Sequence, residues 1–141
     1  ELICDGVHLA PDVIRMAILA AGPQRIALVT DAMSATGQPD GDYILGSLPV
    51  KVVDGRARLL AADGSLGAIA GSTLTMGHAV EFVTSVVGLP LGQVAVMAAT
   101  TPAELHGLSE VGVLEEGRWA DMCLTDEKGR LVRVIRRGES V

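Results

Sequence analysis

Two short apolar runs, separated by an amphipathic stretch, open the chain. Residues 2–4 are apolar and close at the turn signal Asp5-Gly6. From Pro11 onward, apolar residues recur at helical spacing until Gly22-Pro23, a typical helix stop. Residues 26–30 then form an apolar run that predicts a buried strand. The order strand, helix, strand predicts a βαβ unit of a parallel sheet, and therefore an α/β fold.

The pattern changes at residues 39–68, which are rich in turns and short strands. Apolar or alternating runs at 43–45, 49–53 and 56–60 predict strands. Asp54-Gly55, between the last two runs, is a strong hairpin signal. We interpret residues 39–68 as an antiparallel β excursion and not as a separate domain.

Helical spacing returns after Ser72 and Thr73, either of which would serve as the N-cap of a helix. Two further helices are predicted at 91–100 and 101–105, the second with proline in its first turn. The rest of the chain, residues 109–141, is expected to be β structure. Its strands are predicted at 111–114, 120–125 and 131–135. Asp121 is expected to pin a turn there, and Arg133, Arg136 and Arg137 to form a solvated face.

Composition indicates a folded domain with a substantial core. Hydrophobic residues make up 49% of the 141 residues, and the net charge is -6. The negative charge and the 2% aromatic content argue against a nucleic-acid partner. No apolar stretch reaches membrane-spanning length, so no membrane partner is expected. Cys4 and Cys123 both lie in apolar runs and are expected to be buried free thiols, which favours a cytoplasmic protein.

Two polar residues follow the apolar runs and are candidates for chemistry. Asp31 stands at the C-terminal end of the 26–30 strand, where parallel sheets and barrels carry their active sites. It is a candidate general base or metal ligand, or alternatively a residue that only caps the next turn. His8 follows the first turn and would either bind a ligand or cap the helix that begins near Pro11. No serine-nucleophile elbow and no phosphate loop is present.

Four segments together resemble the N-acetylglucosamine-6-phosphate deacetylase family of the amidohydrolase superfamily. They are Cys-Asp-Gly-Val-His at 4–8, Leu-Val-Thr-Asp-Ala-Met at 28–33, Ala-Gly-Ser-Thr-Leu-Thr-Met at 70–76 and the segment 112–121. The first three, in this order, are fairly specific for the deacetylases. The fourth resembles a signature of the whole superfamily.

The resemblance implies a fold that the pattern alone does not reach. It implies the C-terminal portion of a (β/α)₈ barrel, of the TIM type, with part of a small β-sandwich. Residues 1–108 would be the end of the barrel, with the excursion at 39–68, and residues 109–141 would belong to the sandwich. The chain begins at Glu1 inside a strand, which suggests a fragment of a larger protein. The family also implies a homodimer.

The resemblance further implies a role for each matched residue. Asp31 would take a proton from a metal-activated water and pass it to the leaving amine. His8 would hydrogen-bond the substrate and stabilise the carbonyl oxygen as it becomes negative. The loop that would contact the sugar consists of Ile69, Ala70, Gly71 and Ser72.

A divalent metal, zinc first, is implied as the cofactor, but its ligands would come from earlier strands. The family's ligands are a Glu and two His, and this chain lacks those strands. His78 and His106 lie in or at the end of predicted helices and are not expected to bind metal. We therefore expect no metal ligand in this chain.

The function predicted from the resemblance is a metal-dependent deacetylase that releases acetate from N-acetylglucosamine 6-phosphate, a small-molecule amino-sugar phosphate. Another amidohydrolase, such as a cyclic-amide hydrolase, is the near alternative, and the 70–76 segment argues against it. A third hypothesis is a catalytically inert fragment that folds by pairing with its missing half or with itself.

Overall fold

The computed structural model describes all 141 residues, which fold as two compact units. The discontinuous unit consists of Glu1–Val29 and Met76–Val141. The inserted unit consists of Thr30–Thr75. No helix is both long enough and apolar enough to cross a lipid bilayer.

The discontinuous unit begins with the predicted strand–helix–strand pattern. β1 (Leu2–Ile3) and β2 (Leu28–Val29) pair in parallel, and helix α1 (Pro11–Ala21) connects them. The N–H of Gly22 bonds to the carbonyl of Ile18 at 2.8 Å and ends α1 at the predicted residue. β2 is shorter than the predicted strand because β1 supplies only two residues to pair with it. The α/β class is confirmed for this part of the chain.

One apolar core holds both strands and α1 against the later helices. Its members are Cys4, Ile14, Ile18, Ile26, Leu28, Val83, Val87, Leu89, Val94 and Met97. Full burial of each aliphatic side chain is worth about 1.5–3 kcal/mol, so this core fixes the ends of both strands.

A helical region follows, in the places that the pattern predicts. Its segments are α2 (Met76–Ser85), α3 (Leu91–Ala95), a π-helical turn (Val96–Thr100) and α4 (Thr101–Leu105). Pro102 has no N–H to donate to the carbonyl four residues earlier, and the helix widens into the π turn just before it. The expectation that Ser72 or Thr73 caps α2 is wrong, because α2 begins at Met76.

The antiparallel strands predicted for residues 39–68 lie within the inserted unit, which is wider than the predicted excursion and spans Thr30–Thr75. β3 (Gly41–Leu45), β4 (Leu48–Val53), β5 (Arg56–Leu60) and β6 (Leu66–Ile69) pair in that order. Val50, Val52 and Ala57 point to one face and form its core with Met33, Ala35 and Ala70. β6 was not predicted as a strand, since all four of its residues are exposed and give no burial pattern.

The chain ends in a three-stranded antiparallel sheet of β7 (Met122–Thr125), β8 (Leu131–Arg136) and β9 (Glu139–Ser140). Asp121 pins its last turn as expected, since its carboxylate accepts the N–H of Arg137 at 2.7 Å. That this sheet belongs to a separate sandwich domain from residue 109 stays a prediction.

Two expectations for this region are wrong. No strand forms at 111–114, because Gly112 has φ +93 and its carbonyl accepts the Thr100 hydroxyl at 2.8 Å. Cys123 is exposed, not buried, although Cys4 is a buried free thiol as expected.

Candidate active-site residues

Asp5 organises the turn that follows β1. One carboxylate oxygen, Oδ1, accepts the backbone N–H groups of Val7 at 2.8 Å and His8 at 2.9 Å. The other oxygen, Oδ2, lies 2.8 Å from Nδ1 of the His8 ring. The side chain of Asp5 is 12% exposed and that of His8 is 21% exposed. The predicted candidate His8 is therefore held in place by a carboxylate three residues earlier.

The turn also depends on glycine at position 6. Gly6 has φ +72, and a Cβ at this position would lie 2.8 Å from the ring of Phe82. A side chain here would be both strained and in collision with α2. The turn that carries Asp5 and His8 therefore requires glycine between them.

Ionisation of this strand end follows from burial and hydrogen bonding. Burial by itself would raise the pKa of Asp5, but the N–H groups of His8 and Val7 and the His8 ring outweigh it and hold the pKa below its ordinary value. Burial, with the neighbouring Asp5 charge, raises the pKa of the Cys4 thiol to about 11. At neutral pH Asp5 is thus a charged acceptor, and Cys4 is a protonated thiol that cannot act as a nucleophile.

Asp31, two residues after β2, has a left-handed backbone conformation with φ 49. The other non-glycine residues with positive φ are Asp54 and Arg137, each of which precedes a glycine in a two-residue hairpin turn. Hairpin turns require that conformation, whereas Asp31 does not lie in a hairpin. The left-handed conformation costs an L-residue about 1–2 kcal/mol, and Asp tolerates it better than most. Interactions other than a hairpin turn must therefore hold Asp31 in the left-handed conformation.

Ser72 supplies the bonds that hold it. The N–H of Ser72 donates to the carbonyl of Asp31 at 2.8 Å, and the carbonyl of Ser72 accepts the N–H of Met33 at 2.9 Å. The Ser72 hydroxyl donates to the carbonyl of Thr30 and accepts the N–H of Leu74 at 3.1 Å. These bonds fix the backbone on both sides of Asp31 and leave its carboxylate exposed.

Gly71 allows the loop to approach this closely. It has φ +66, and a Cβ there would lie 3.2 Å from the carbonyl oxygen of Asp31 and 3.4 Å from Cβ of Met33. The structure therefore brings Gly71 and Ser72 together with Asp31. Of the remaining loop residues, Ile69 is exposed, whereas Ala70 is buried with its N–H bonded to the carbonyl of Ala57 at 3.0 Å.

Sequence reasoning missed Asp5, which was considered only as part of a turn. The signal was available, because an Asp that precedes a His by three residues just after a strand can bond both the turn and the ring. It also treated Ser72 as a substrate contact, whereas the structure engages its hydroxyl twice within the protein and leaves the residue 3% exposed. Substrate contact by Ser72 stays a prediction.

The chain's own residues do not fit a complete metal centre. No three His, Cys, Asp or Glu side chains converge on one point in this structure. The chemistry that these residues can supply is proton transfer at the exposed carboxylate of Asp31 and hydrogen bonding at the ring of His8.

Relatives among known proteins resemble the chain along almost its whole length. It is 39% identical to an N-acetylglucosamine-6-phosphate deacetylase of Vibrio furnissii over 94% of the chain and 34% of that protein. A solved Mycobacterium smegmatis N-acetyl-D-glucosamine-6-phosphate deacetylase, an Asp-to-Ala variant in complex with N-acetyl-D-glucosamine-6-phosphate, matches with a TM-score of 0.87 at 39% identity. That match covers 99% of the chain and 36% of the solved chain. The chain thus spans about a third of the length of these relatives.

One further relative is covered for most of its own length. It is an Escherichia coli K12 protein with the provisional name N-acetylgalactosamine-6-phosphate deacetylase, 35% identical over 89% of the chain and 72% of that protein. No family model matches the chain. The relationship predicted from the four sequence segments is confirmed by these comparisons. The chain belongs to the family of N-acetylhexosamine-6-phosphate deacetylases.

Proposed function

We propose that the protein hydrolyses the acetamide of N-acetylglucosamine 6-phosphate to glucosamine 6-phosphate and acetate. The observation that carries this proposal is the match, over 99% of the chain at 39% identity, to the M. smegmatis deacetylase that was solved with this sugar phosphate bound. As in the family, the chain would be the C-terminal part of a TIM-type barrel with a small β-sandwich.

Asp31 is the proposed general base. It takes a proton from the attacking water and later gives it to the amine nitrogen as the C–N bond breaks, so a single carboxylate serves both steps. Two observations support this role. Asp31 is an exposed residue, and the backbone that carries its carboxylate is fixed by Ser72 in a conformation that L-residues seldom adopt.

His8 is the proposed substrate ligand, and it hydrogen-bonds the substrate through Nε2. In the doubly protonated ring both nitrogens are donors, so that Nδ1–H bonds to Asp5 while Nε2–H stabilises the carbonyl oxygen as negative charge develops there. Its ring is partly exposed and is oriented through Nδ1 by Asp5, which leaves Nε2 for a ligand. In the loop that is proposed to contact the sugar, Ile69 and Gly71 offer accessible surface, Ala70 offers backbone atoms, and Ser72 contributes by holding Asp31.

A divalent metal, zinc first, is the proposed cofactor, and it would activate the water and polarise the acetamide carbonyl. Its ligands would lie outside this chain. A homodimer is proposed from the family resemblance alone. A cytoplasmic location is proposed from the same resemblance together with the two free thiols, Cys4 and Cys123.

The test is acetate release by the protein at its full natural length, with its metal content measured on the same preparation. The substrates are N-acetylglucosamine 6-phosphate, its 4-epimer N-acetylgalactosamine 6-phosphate, and unphosphorylated N-acetylglucosamine. We expect the highest kcat/KM for the first substrate and little turnover of the unphosphorylated sugar. If none of the three releases acetate from the metal-loaded protein, the proposal is wrong.

N-acetylgalactosamine 6-phosphate is a second candidate substrate. Proteins named for this activity match at 35% identity, close to the 39% of the glucosamine enzyme from Vibrio furnissii. The two sugars differ in the configuration of one hydroxyl, so the same residues would perform the same hydrolysis. A higher kcat/KM for the galactosamine substrate in the assay above would establish the second candidate in place of the first.

A further inference from the structure

Asp5 divides its two carboxylate oxygens between two tasks. Oδ1 accepts the N–H groups of Val7 and His8 and so builds the turn. Oδ2 faces Nδ1 of the His8 ring at 2.8 Å and takes no part in those backbone bonds. The second contact is therefore separable from the turn itself, and it calls for its own explanation.

The contact decides where the ring carries its proton. An ionised carboxylate only accepts hydrogen bonds, so Nδ1 of His8 must be the protonated nitrogen. Nε2 is then left to face a ligand. In the neutral ring it accepts a hydrogen bond, and in the doubly protonated ring, whose second proton the Asp5 carboxylate favours, it donates one to the carbonyl oxygen. A mobile ring would populate both tautomers and several orientations, and only one of these would suit a given ligand.

The alternative interpretation, in which His8 caps the following helix, does not account for the contact between Asp5 and the His8 ring. The N-cap position of α1 is Ala10, and no side chain caps that helix end. The His8 ring is also largely shielded from water, since the side chain of His8 is only 21% exposed and that of Asp5 only 12%. Gly6, between them, has φ +72, and a Cβ there would lie 2.8 Å from the ring of Phe82, so the turn requires glycine at this position.

We propose that Asp5 is a positioning residue that sets the tautomer and orientation of His8, so that Nε2 is the atom presented to the substrate. This inference deepens the proposed function and rests on it for the identity of the substrate. Asp5 itself touches no reacting atom. Its effect is transmitted through the ring of His8.

Asp5→Asn is the informative variant, because it keeps the hydrogen bonds that build the turn and changes the contact with the His8 ring. Its amide oxygen can still accept the N–H groups of Val7 and His8. Its NH₂ group would then face Nδ1 of His8 as a donor, and this reverses the favoured tautomer. Asp12→Asn, on an exposed residue in the first turn of α1, is the matched control for the loss of one negative charge.

The first readout is the ¹⁵N spectrum of the imidazole ring in histidine-labelled protein at its full natural length, without substrate. We expect the Nδ1–H tautomer at His8 in the wild type and in Asp12→Asn, and the Nε2–H tautomer in Asp5→Asn. Assignment uses His8→Ala. The same tautomer or the same mixture in wild type and Asp5→Asn would overturn the proposal. This readout needs no activity.

The second readout is a double-mutant cycle in kcat/KM. We expect Asp5→Asn to lower kcat/KM about tenfold, the lower end of the loss seen when the carboxylate partner of a metal-ligating histidine is removed. In the His8→Ala background the same change should have no further effect. An equal fall in both backgrounds would mean that Asp5 acts only through the fold, and the positioning role would be excluded.

The two readouts separate this inference from the proposed function. If His8→Ala leaves kcat/KM unchanged, the substrate role of His8 fails, and the tautomer measurement still decides whether Asp5 sets the ring. If the protein has no deacetylase activity at all, the proposed function fails and the ring spectrum again decides the inference.

Discussion

The ends of β1 and β2 each carry an aspartate, and the two aspartates are held in opposite ways. Asp5 and Asp31 each follow a paired strand, β1 or β2, by two residues. After β1, the carboxylate of Asp5 is engaged in local hydrogen bonds to the turn and to the ring of His8. At the second end the backbone around Asp is held by a loop more than 40 residues away in sequence, and the carboxylate is left exposed.

The difference indicates which carboxylate is free to do chemistry. A carboxylate that accepts three short hydrogen bonds is a poor base, because its proton affinity is lowered by each of them. A carboxylate on a fixed backbone, with its oxygens accessible, can accept a proton and release it. Position in the sequence alone does not separate these roles, since both residues stand at the same offset from a strand.

Asp31→Asn should produce the largest effect on activity. We expect kcat for acetate release by the protein at its full length to fall by about 10²–10⁴, the usual contribution of a general base. KM should change little, and so should the free energy of unfolding, because Asn also tolerates a left-handed backbone. The measurement is steady-state kinetics together with urea unfolding.

Asp5→Asn is the comparison for this prediction. If the two strand ends have the roles assigned to them, Asp5→Asn costs less activity than Asp31→Asn. A wild-type rate for Asp31→Asn would mean that Asp31 only shapes the turn after β2.

Gly71→Ala should produce the largest effect on stability. A Cβ there meets the Asp31 carbonyl at 3.2 Å and also requires φ +66, so we expect a loss of about 2 kcal/mol in the free energy of unfolding. Gly46→Ala is the matched control, since Gly46 has φ +62 and a Cβ there contacts nothing within 4 Å. The control should lose about 1 kcal/mol, from backbone strain alone. Equal losses would mean that the close approach to Asp31 is unimportant.

The parts of the fold and of the candidate site that could be predicted are those in which the interacting residues are close in sequence. Helix α1 was predicted from Pro11 to Ala21 because periodicity, the first-turn proline and Gly22 are all local signals. The left-handed conformation of Asp31 was not predicted, because it depends on Ser72. Ser72 was instead expected to contact the sugar and, as an alternative to Thr73, to cap α2, and neither expectation involves the distant strand end.

Local sequence signals gave a wrong strand at residues 111–114, and a local hydrogen bond, between Asp5 and His8, was not predicted. Residues 111–114 have the apolar alternation of a strand, but the positive φ of Gly112 and the hydrogen bond from the Thr100 hydroxyl to its carbonyl prevent one from forming. The bond from Asp5 to His8 spans only three residues and was within reach of the sequence. It was missed because Asp5-Gly6 was interpreted as a turn and nothing more.

Ser72→Ala should have a smaller effect on stability than Gly71→Ala. It removes a hydroxyl that is bonded to the Thr30 carbonyl and the Leu74 N–H, and leaves both backbone groups without that partner. We expect a loss of about 1–2 kcal/mol in the free energy of unfolding and a modest fall in kcat. Ser34→Ala, at an exposed serine whose hydroxyl lies 3.5 Å from the Ile44 carbonyl, is the control and should change little. If Ser72→Ala raises KM and leaves kcat and stability unchanged, Ser72 is a substrate contact and not a support for Asp31.

The smallest expected effect is a pH dependence of stability at the first strand end. The pKa of Asp5 is lower in the folded protein than its ordinary value, which is about 3.9 in an unfolded chain. Ionised Asp5 therefore contributes stability that is fully present above about pH 5, and that is lost as the pH falls through the lowered folded value. We expect the stability difference between wild type and Asp5→Asn, measured by urea unfolding, to shrink as the pH falls from about 5 toward 2.

Asp63 provides the control for that measurement. Its pKa is also lowered, by hydrogen bonds from Ser65, but it lies in an exposed turn of the inserted unit. Water competes for its charge, so Asp63→Asn should change the pH profile less than Asp5→Asn does. A larger effect from Asp63 would mean that the bonds at Asp5 do not favour its charged form. In that case the carboxylate would not be the fixed acceptor that the orientation of His8 requires.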